Sequence, residues 1–299
     1  MRLTERQWHE RERAHVERMR RWTVPHRARR SRAEKHPVLD FLFTYYSHPP
    51  AHLERWQPGP GVVLEGQSAT RFLRGGGYHE VAGGVAVNEA TATSTSTAAG
   101  GRAAERTLAL LEATARRAPR LSCFGLHEWA MVYRESPERL RHPQLPLRLG
   151  SAGTDEVLES LGVRCGHFDA FRFFTEAARP LNALRPTRQT QPELDQPGCL
   201  HVGMDLYKWA YQLGAFVPAE LLGDCFELAA DIRELDMRAS PYDLSAMGYS
   251  PVRIETAEGR AEYARAQESF ARRAAPLRAR LIECYRTLLT AFDQRHSRT

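Results

Sequence analysis

The sequence predicts a mainly α protein, a single large helical domain with a small β-hairpin appendage. Three observations predict it. Apolar residues recur at three- and four-residue intervals along most of the chain. One stretch, 49–101, breaks that rhythm with proline, glycine and short alternating runs. The 299 residues are 42% hydrophobic and 26% charged, a composition able to bury a core. With no long polar linker, residues 1–299 read as one domain or two tightly fused lobes, with a β-containing insertion at about 60–100.

The first element is an amphipathic helix that starts after Thr4 and runs to about residue 21, with Trp8, Val16, Met19 and Trp22 at helical intervals and a charged outer face. Residues 26–32 follow as the densest positive cluster, in which Arg27, Arg29, Arg30 and Arg32 either meet phosphates or pair with nearby glutamates. The aromatic segment 36–48 opens with Pro37 at a first helical position; a helix there sets His36 and Asp40 one turn apart and Tyr45 near His48. Residues 62–64 read as a strand, and Gly83-Gly84 separates two alternating runs as a hairpin turn does. The Thr/Ser-rich run 91–100 reads as a mobile loop. Helical patterns return at 103–117, 121–133, 155–161, 168–178, 200–213, 218–237 and 257–292. The last has a break at Pro276, and 180–197 forms a long irregular connection.

Composition sets bounds on function. No run approaches the roughly 18 apolar residues of a membrane helix, and the N-terminus opens with Arg and Glu instead of an apolar leader, so the expectation is a cytoplasmic protein with no membrane partner. The five cysteines, Cys123, Cys165, Cys199, Cys225 and Cys284, are odd in number and lack a Cys-x-x-Cys pair, which argues against a disulfide framework and a zinc ribbon. The net charge of +6 and pI near 9.2 make a phosphate-bearing partner worth testing.

Chemistry concentrates where ionisable groups sit among apolar residues, a placement that costs free energy unless compensated. His201 and Asp205 are four apart, so a helix puts imidazole and carboxylate on one face with Lys208 at the next turn. That geometry suits a metal, a catalytic His with its orienting carboxylate, or a structural pair. Glu227, Asp231, Glu234 and Asp236 crowd neighbouring turns; Arg233 and Arg238 are available to neutralise them, and Asp231 and Asp236 are candidates for acid-base work. His127-Glu128 and His167-x-Asp169 add further ligand types. Met131 stands where a zinc protease needs its second His, and there is no P-loop, dinucleotide fingerprint or nucleophile elbow.

Glu34-Lys35-His36-Pro37 with Asp40-Phe41-Leu42-Phe43-Thr44-Tyr45-Tyr46, Gly125-Leu126-His127-Glu128-Trp129-Ala130-Met131, His167-Phe168-Asp169-Ala170-Phe171-Arg172-Phe173-Phe174, Met204-Asp205-Leu206-Tyr207-Lys208-Trp209 and the string from Glu234 to Asp243 carry a resemblance. In these strings, spread over nearly the whole chain, it resembles an actinobacterial family commonly labelled 3-methyladenine DNA glycosylase; the Thr/Ser-rich stretch departs from it. The resemblance implies DNA as partner and excision of an alkylated base by N-glycosidic cleavage, without a cofactor. An extruded base needs aromatic faces and a carboxylate near the sugar. Tyr45, Tyr46, Trp129, Phe171 and Trp209 are candidates for the first, with Arg172 and Lys208 as further substrate contacts. Asp205, Asp231 and Asp236 are candidates for the second, alongside His167, Asp169 and His201. A rival reading is an iron- or manganese-dependent helical oxidase of a small molecule, with ligands among His127, Glu128, His167, His201, Asp205, Glu227 and Asp231. A third is a noncatalytic nucleic-acid-binding protein.

Overall fold

Thr4 starts the first helix as its sequence suggests. In the computed structural model, which describes residues 1–89 and 98–296, α1 spans Glu5–Ser31, and Thr4 and Gln7 form a reciprocal capping box. The helix continues ten residues beyond the expected end, through Pro25. Its buried stripe of Trp8, His15, Met19, Thr23 and His26 keeps helical spacing across the proline. Packing of that stripe outweighs the one ladder bond the proline removes.

Contacts divide the chain into two compact units, and the helices Ala98–Ala115, Leu200–Gln212, Ala219–Arg238 and Ala257–His296 contribute residues to both. The first unit comprises Met1–Glu112, Leu206–Glu227 and Pro276–Thr299. After α1 come two short helices, α2 (Phe41–Tyr45) and α3 (Pro50–Glu54). The expected helix from Pro37 begins only at Phe41. Residues 37–40 form turns instead, and Asp40 accepts from the His36 N–H at 2.9 Å while pairing with His26 at 2.8 Å and Arg29 at 2.6 Å. Its carboxylate is thus spent on local turns and side chains.

The small sheet contains the predicted hairpin, β3 (Tyr78–Val81) and β4 (Gly84–Val87), with Val81 opposite Gly84 and Gly83 at φ 80° in the turn. Its order is β1-β2-β4-β3, where β2 is Val63–Leu64 and β1 is Arg2–Leu3, the start of the chain. Two residues give too little periodicity to announce a strand, so β1 was invisible in the pattern. Leu3, Trp8, Trp56, Leu64 and Val85 bury their side chains together, and the Trp8 indole N–H donates to Glu65 O at 2.9 Å. Of the run expected to be a mobile loop, 91–97 lie outside the described residues and 98–100 open α4 (Ala98–Ala115).

The second unit comprises Ala113–Asp205 and Leu228–Ala275. It contains α5 (Leu126–Ala130), α6 (Gly150–Leu161), α7 (Phe168–Phe171) and α8 (Gln191–Leu194). It also takes the first six residues of α9 (Leu200–Gln212), the end of α10 (Ala219–Arg238) and the start of α11 (Ala257–His296). The long helices match the sequence reading, except that α11 runs unbroken through Pro276. Two expected helices are cut short. The pattern over 121–133 yields only α5, because Phe124 (φ 48°) and Gly125 (φ 71°) turn the chain through left-handed backbone just before it. The pattern over 168–178 stops after one turn, where Thr175 leaves the helix to bond Ala130 O at 3.2 Å and Tyr133 O at 3.0 Å.

Candidate functional site

The left-handed turn at Phe124-Gly125 aims α5 into the second unit with His127 and Glu128 buried on adjacent positions. Gly125 takes a left-handed φ of 71° that favours glycine, and a Cβ there would stand 3.3 Å from the Tyr263 ring, a tight contact. A bulky residue held at positive φ beside buried ionisable groups is stored strain of the kind found at functional sites.

From α10, Arg233 and Asp236 face α5. Arg233 Nη1 lies 2.7 Å from Glu128 Oε1 and 2.8 Å from Asp236 Oδ2, and all three side chains are almost wholly buried. Asp236 Oδ1 stands 2.8 Å from His127 Nε2, yet neither atom has the alignment of a hydrogen bond. From α9, His201 meets His127 edge to face at 4.4 Å and stacks on His167 at 5.1 Å. His167, the residue before α7, places Nε2 3.2 Å from Asp205 Oδ2, while its Nδ1 is buried without a hydrogen-bond partner among the described residues. The expected pairing of His201 with Asp205 on one helix face is thus replaced: the two flank His167, which takes the carboxylate.

Electrostatics separates the three imidazoles. Burial opposes charging His127, but the Asp236 carboxylate and the nearby Cys123 sulfur outweigh it and hold its pKa well above 6.5. Burial likewise opposes charging His167, and Asp205 more than compensates, so its pKa is also raised. Burial and the neighbouring His127 charge hold His201 well below 6.5, a neutral imidazole at physiological pH. For Asp236, burial is overcome by His127 and Arg233, and the carboxyl is held below its ordinary range.

One ligand atom from each of His127, His201 and Asp236 lies within 4.8 Å of the others. His127, His167 and His201 also line a cavity of about 160 Å³, with Cys123, Cys165, Cys199, Asp195 and Tyr263. Arg120 and Arg164 stand at its exposed edge. The walls are pinned by amide side chains. Asn182 bonds the Cys165 N–H at 2.8 Å and its carbonyl at 2.9 Å; Gln196 bonds the Arg120 N–H at 2.8 Å and its carbonyl at 3.1 Å.

The remaining candidates fall elsewhere. In this unit Asp231 is half-exposed and ion-paired with Arg273, and Asp169 pairs with exposed Arg172 at 3.4 Å. Trp129 is fully buried with its N–H on Ala239 O at 2.9 Å, and Phe171 packs on Phe174 at 5.1 Å. In the first unit, Arg18 and Trp22 bond Glu227, Tyr45 stacks on Phe41, Tyr46 meets Tyr207, and the Lys208 ammonium lies over Trp209. Arg27, Arg29 and Arg32 pair with Glu54, Asp40 and Glu34, and among the described residues Arg30 makes no ion pair.

Tyr263, Asp195 and Asn182 were not among the sequence candidates, and the cysteines entered the sequence reading only against a disulfide framework and a zinc ribbon. A signal was present: Cys123, Cys165 and Cys199 precede His127, His167 and His201 by four, two and two residues. Comparison with protein-family models, curated proteins and solved structures gave no match.

Proposed function

We propose that the chain is a metal-dependent enzyme acting on a small molecule, with a non-haem iron or manganese ion held by His127, His201 and Asp236. The observation that carries this reading is the 2.8 Å approach of His127 Nε2 to Asp236 Oδ1 without hydrogen-bond alignment. Two ligands at right angles on one ion, each at about 2.1 Å, stand roughly 3 Å apart and need no such alignment. Two imidazoles and one carboxylate leave other coordination positions for substrate or water, and the adjoining cavity offers space for them. Arg233 keeps Asp236 anionic, and Glu128 balances Arg233 in turn. His167, oriented by Asp205, is the group beside the cavity able to exchange a proton with a bound molecule.

The test is calorimetric titration of metal-depleted protein with Mn²⁺, and anaerobically with Fe²⁺. One ion per chain should bind, with loss of binding in His201→Gln, whose ring nitrogens make no hydrogen bond among the described residues. Equal binding by that variant would move the metal elsewhere. Base excision, implied by the family resemblance, requires aromatic faces around an extruded base; Tyr263 is the one Phe, Tyr or Trp among the cavity-lining residues. On the present reading methylated DNA yields free base only at its spontaneous rate. Release that depends on Asp205 and His167 would replace this proposal with the glycosylase.

A further inference from the structure

We infer that the cavity beside the His127 set takes a short-chain carboxylate, with its anionic head held by Arg120 and Arg164 at the exposed edge and an oxygen at its far end bonded by the Tyr263 hydroxyl. As a substrate class this rests on the proposed metal-dependent reaction; as a binding site it rests on the cavity itself.

Charge places the head. Arg120 and Arg164 are exposed, line the same cavity, and form no ion pair or side-chain hydrogen bond among the described residues. The backbone beneath each is nevertheless fixed. Gln196 bonds both the N–H and the carbonyl of Arg120. Arg164 lies between Val163, whose carbonyl accepts from the Ala183 N–H at 2.8 Å, and Cys165, bonded at both N–H and carbonyl by Asn182. Braced segments thus present two guanidiniums with their donors unspent, and the planar fork of each matches a carboxylate. Among the described residues lining the cavity Asp195 is the one carboxylate, and it accepts from Gln191 Nε2 at 3.0 Å. The two arginines outnumber it, so the edge draws an anion.

The same bracing selects among anions. A phosphoryl group is commonly seated on a run of free backbone N–H groups. Here the N–H groups of Arg120, Cys165 and Gly198 are already taken by Gln196 and Asn182. What remains at the edge is side-chain guanidinium, which favours the planar carboxylate.

Size and polarity place the rest of the molecule. A dry cavity of about 150 Å³ takes one benzene ring, a body of roughly six non-hydrogen atoms; the volume here is about 160 Å³. Leu184, Leu194 and Leu200 line it, which suits methylene groups and disfavours a second charge. The Tyr263 hydroxyl is fully buried at this cavity without a hydrogen-bond partner among the described residues. An unpaired buried donor costs free energy that a carbonyl or hydroxyl oxygen on the ligand would recover and a hydrocarbon would not. Short hydroxy and oxo acids carry both the head and that oxygen.

The test is an NMR-monitored titration of full-length, metal-depleted protein with 4-oxopentanoate and 3-hydroxybutanoate, beside pentanoate, 4-oxopentanamide and propyl phosphate. Both oxygen-bearing acids should bind at one site per chain, and the amide about tenfold more weakly or worse. Arg120→Gln and Arg164→Gln should each weaken 4-oxopentanoate by about tenfold with the melting temperature unchanged. Arg139→Gln, at an exposed position that does not line the cavity, should have no effect. Tyr263→Phe should reduce the affinity for 4-oxopentanoate to that for pentanoate and leave pentanoate unchanged. Both arginine variants should take up Mn²⁺ as the parent does. Arginine-dependent carboxylate binding in a protein that takes up no Mn²⁺ would remove the metal reading and leave this site. Mn²⁺ uptake by a protein that binds neither oxygen-bearing acid would overturn this inference and leave the metal reading. Equal affinity for acid and amide, tighter binding of propyl phosphate than of either acid, or binding that survives in the Arg120→Gln/Arg164→Gln double variant would overturn it as well.

Discussion

Replacing Arg233 with methionine removes the cation that two buried carboxylates share. The side chain is 1% exposed, Glu128 4% and Asp236 0%. Breaking a buried ion pair from one side costs about 3–5 kcal/mol, because the partner's desolvation remains while its compensation is gone. Asp236 keeps His127 as a cationic neighbour, whereas Glu128 loses its one identified ion pair, so Glu128 should account for most of the loss. The melting temperature of Arg233→Met should fall by on the order of 10 °C. Glu128→Gln placed in the same chain should recover about half of the lost free energy, measured as a double-mutant cycle by urea unfolding with two spectroscopic probes. Mn²⁺ affinity should fall as well, since Asp236 no longer has a guanidinium to hold it ionised. A melting temperature within 2 °C of the parent protein would refute the reasoning, as would a double variant no more stable than Arg233→Met.

Two further outcomes follow from the site. Because the pKa of His167 is raised by Asp205, the pair contributes stability that is fully present below the unfolded value near 6.5 and is lost as pH rises through the folded value. The stability difference between parent and His167→Gln in urea should therefore be largest near pH 5.5 and shrink toward pH 9; a flat difference would remove the Asp205 pairing. Gly198→Ala would place a methyl 2.6 Å from Arg120 O, against backbone that Gln196 already clamps. It should cost about 1–3 kcal/mol of stability and weaken metal binding, whereas parent-like melting and titration curves would show the cavity wall to be loose.

The long helices were legible because their apolar stripes persist over many turns: α9, α10 and α11 begin and end within a few residues of the pattern. The same logic explains why α1 runs past its expected end near residue 21 and through Pro25, and why α11 has no break at Pro276: a buried stripe outlasts a local breaker. The ends of α5 and α7 were not legible, because they are set by left-handed backbone at Phe124 and by the tertiary bonds of Thr175, neither of which leaves a period in the sequence. Spacing along one helix placed His201 with Asp205, but the partner of Asp205 is His167 from another segment, and only tertiary structure brings them together. Asp236 and Asp231 are equivalent in a list of residues. Five positions on a helix separate a buried counter-ion from a half-exposed carboxylate.

The most direct measurement is the metal content of untagged protein purified without chelator, by mass spectrometry, beside His201→Gln prepared in parallel. The account predicts about one iron or manganese ion per chain in the parent and a loss of most of it in the variant, with the circular dichroism of the two unchanged. Parent protein that contains neither metal and takes up neither on reconstitution, or a variant that retains the full amount, would contradict it.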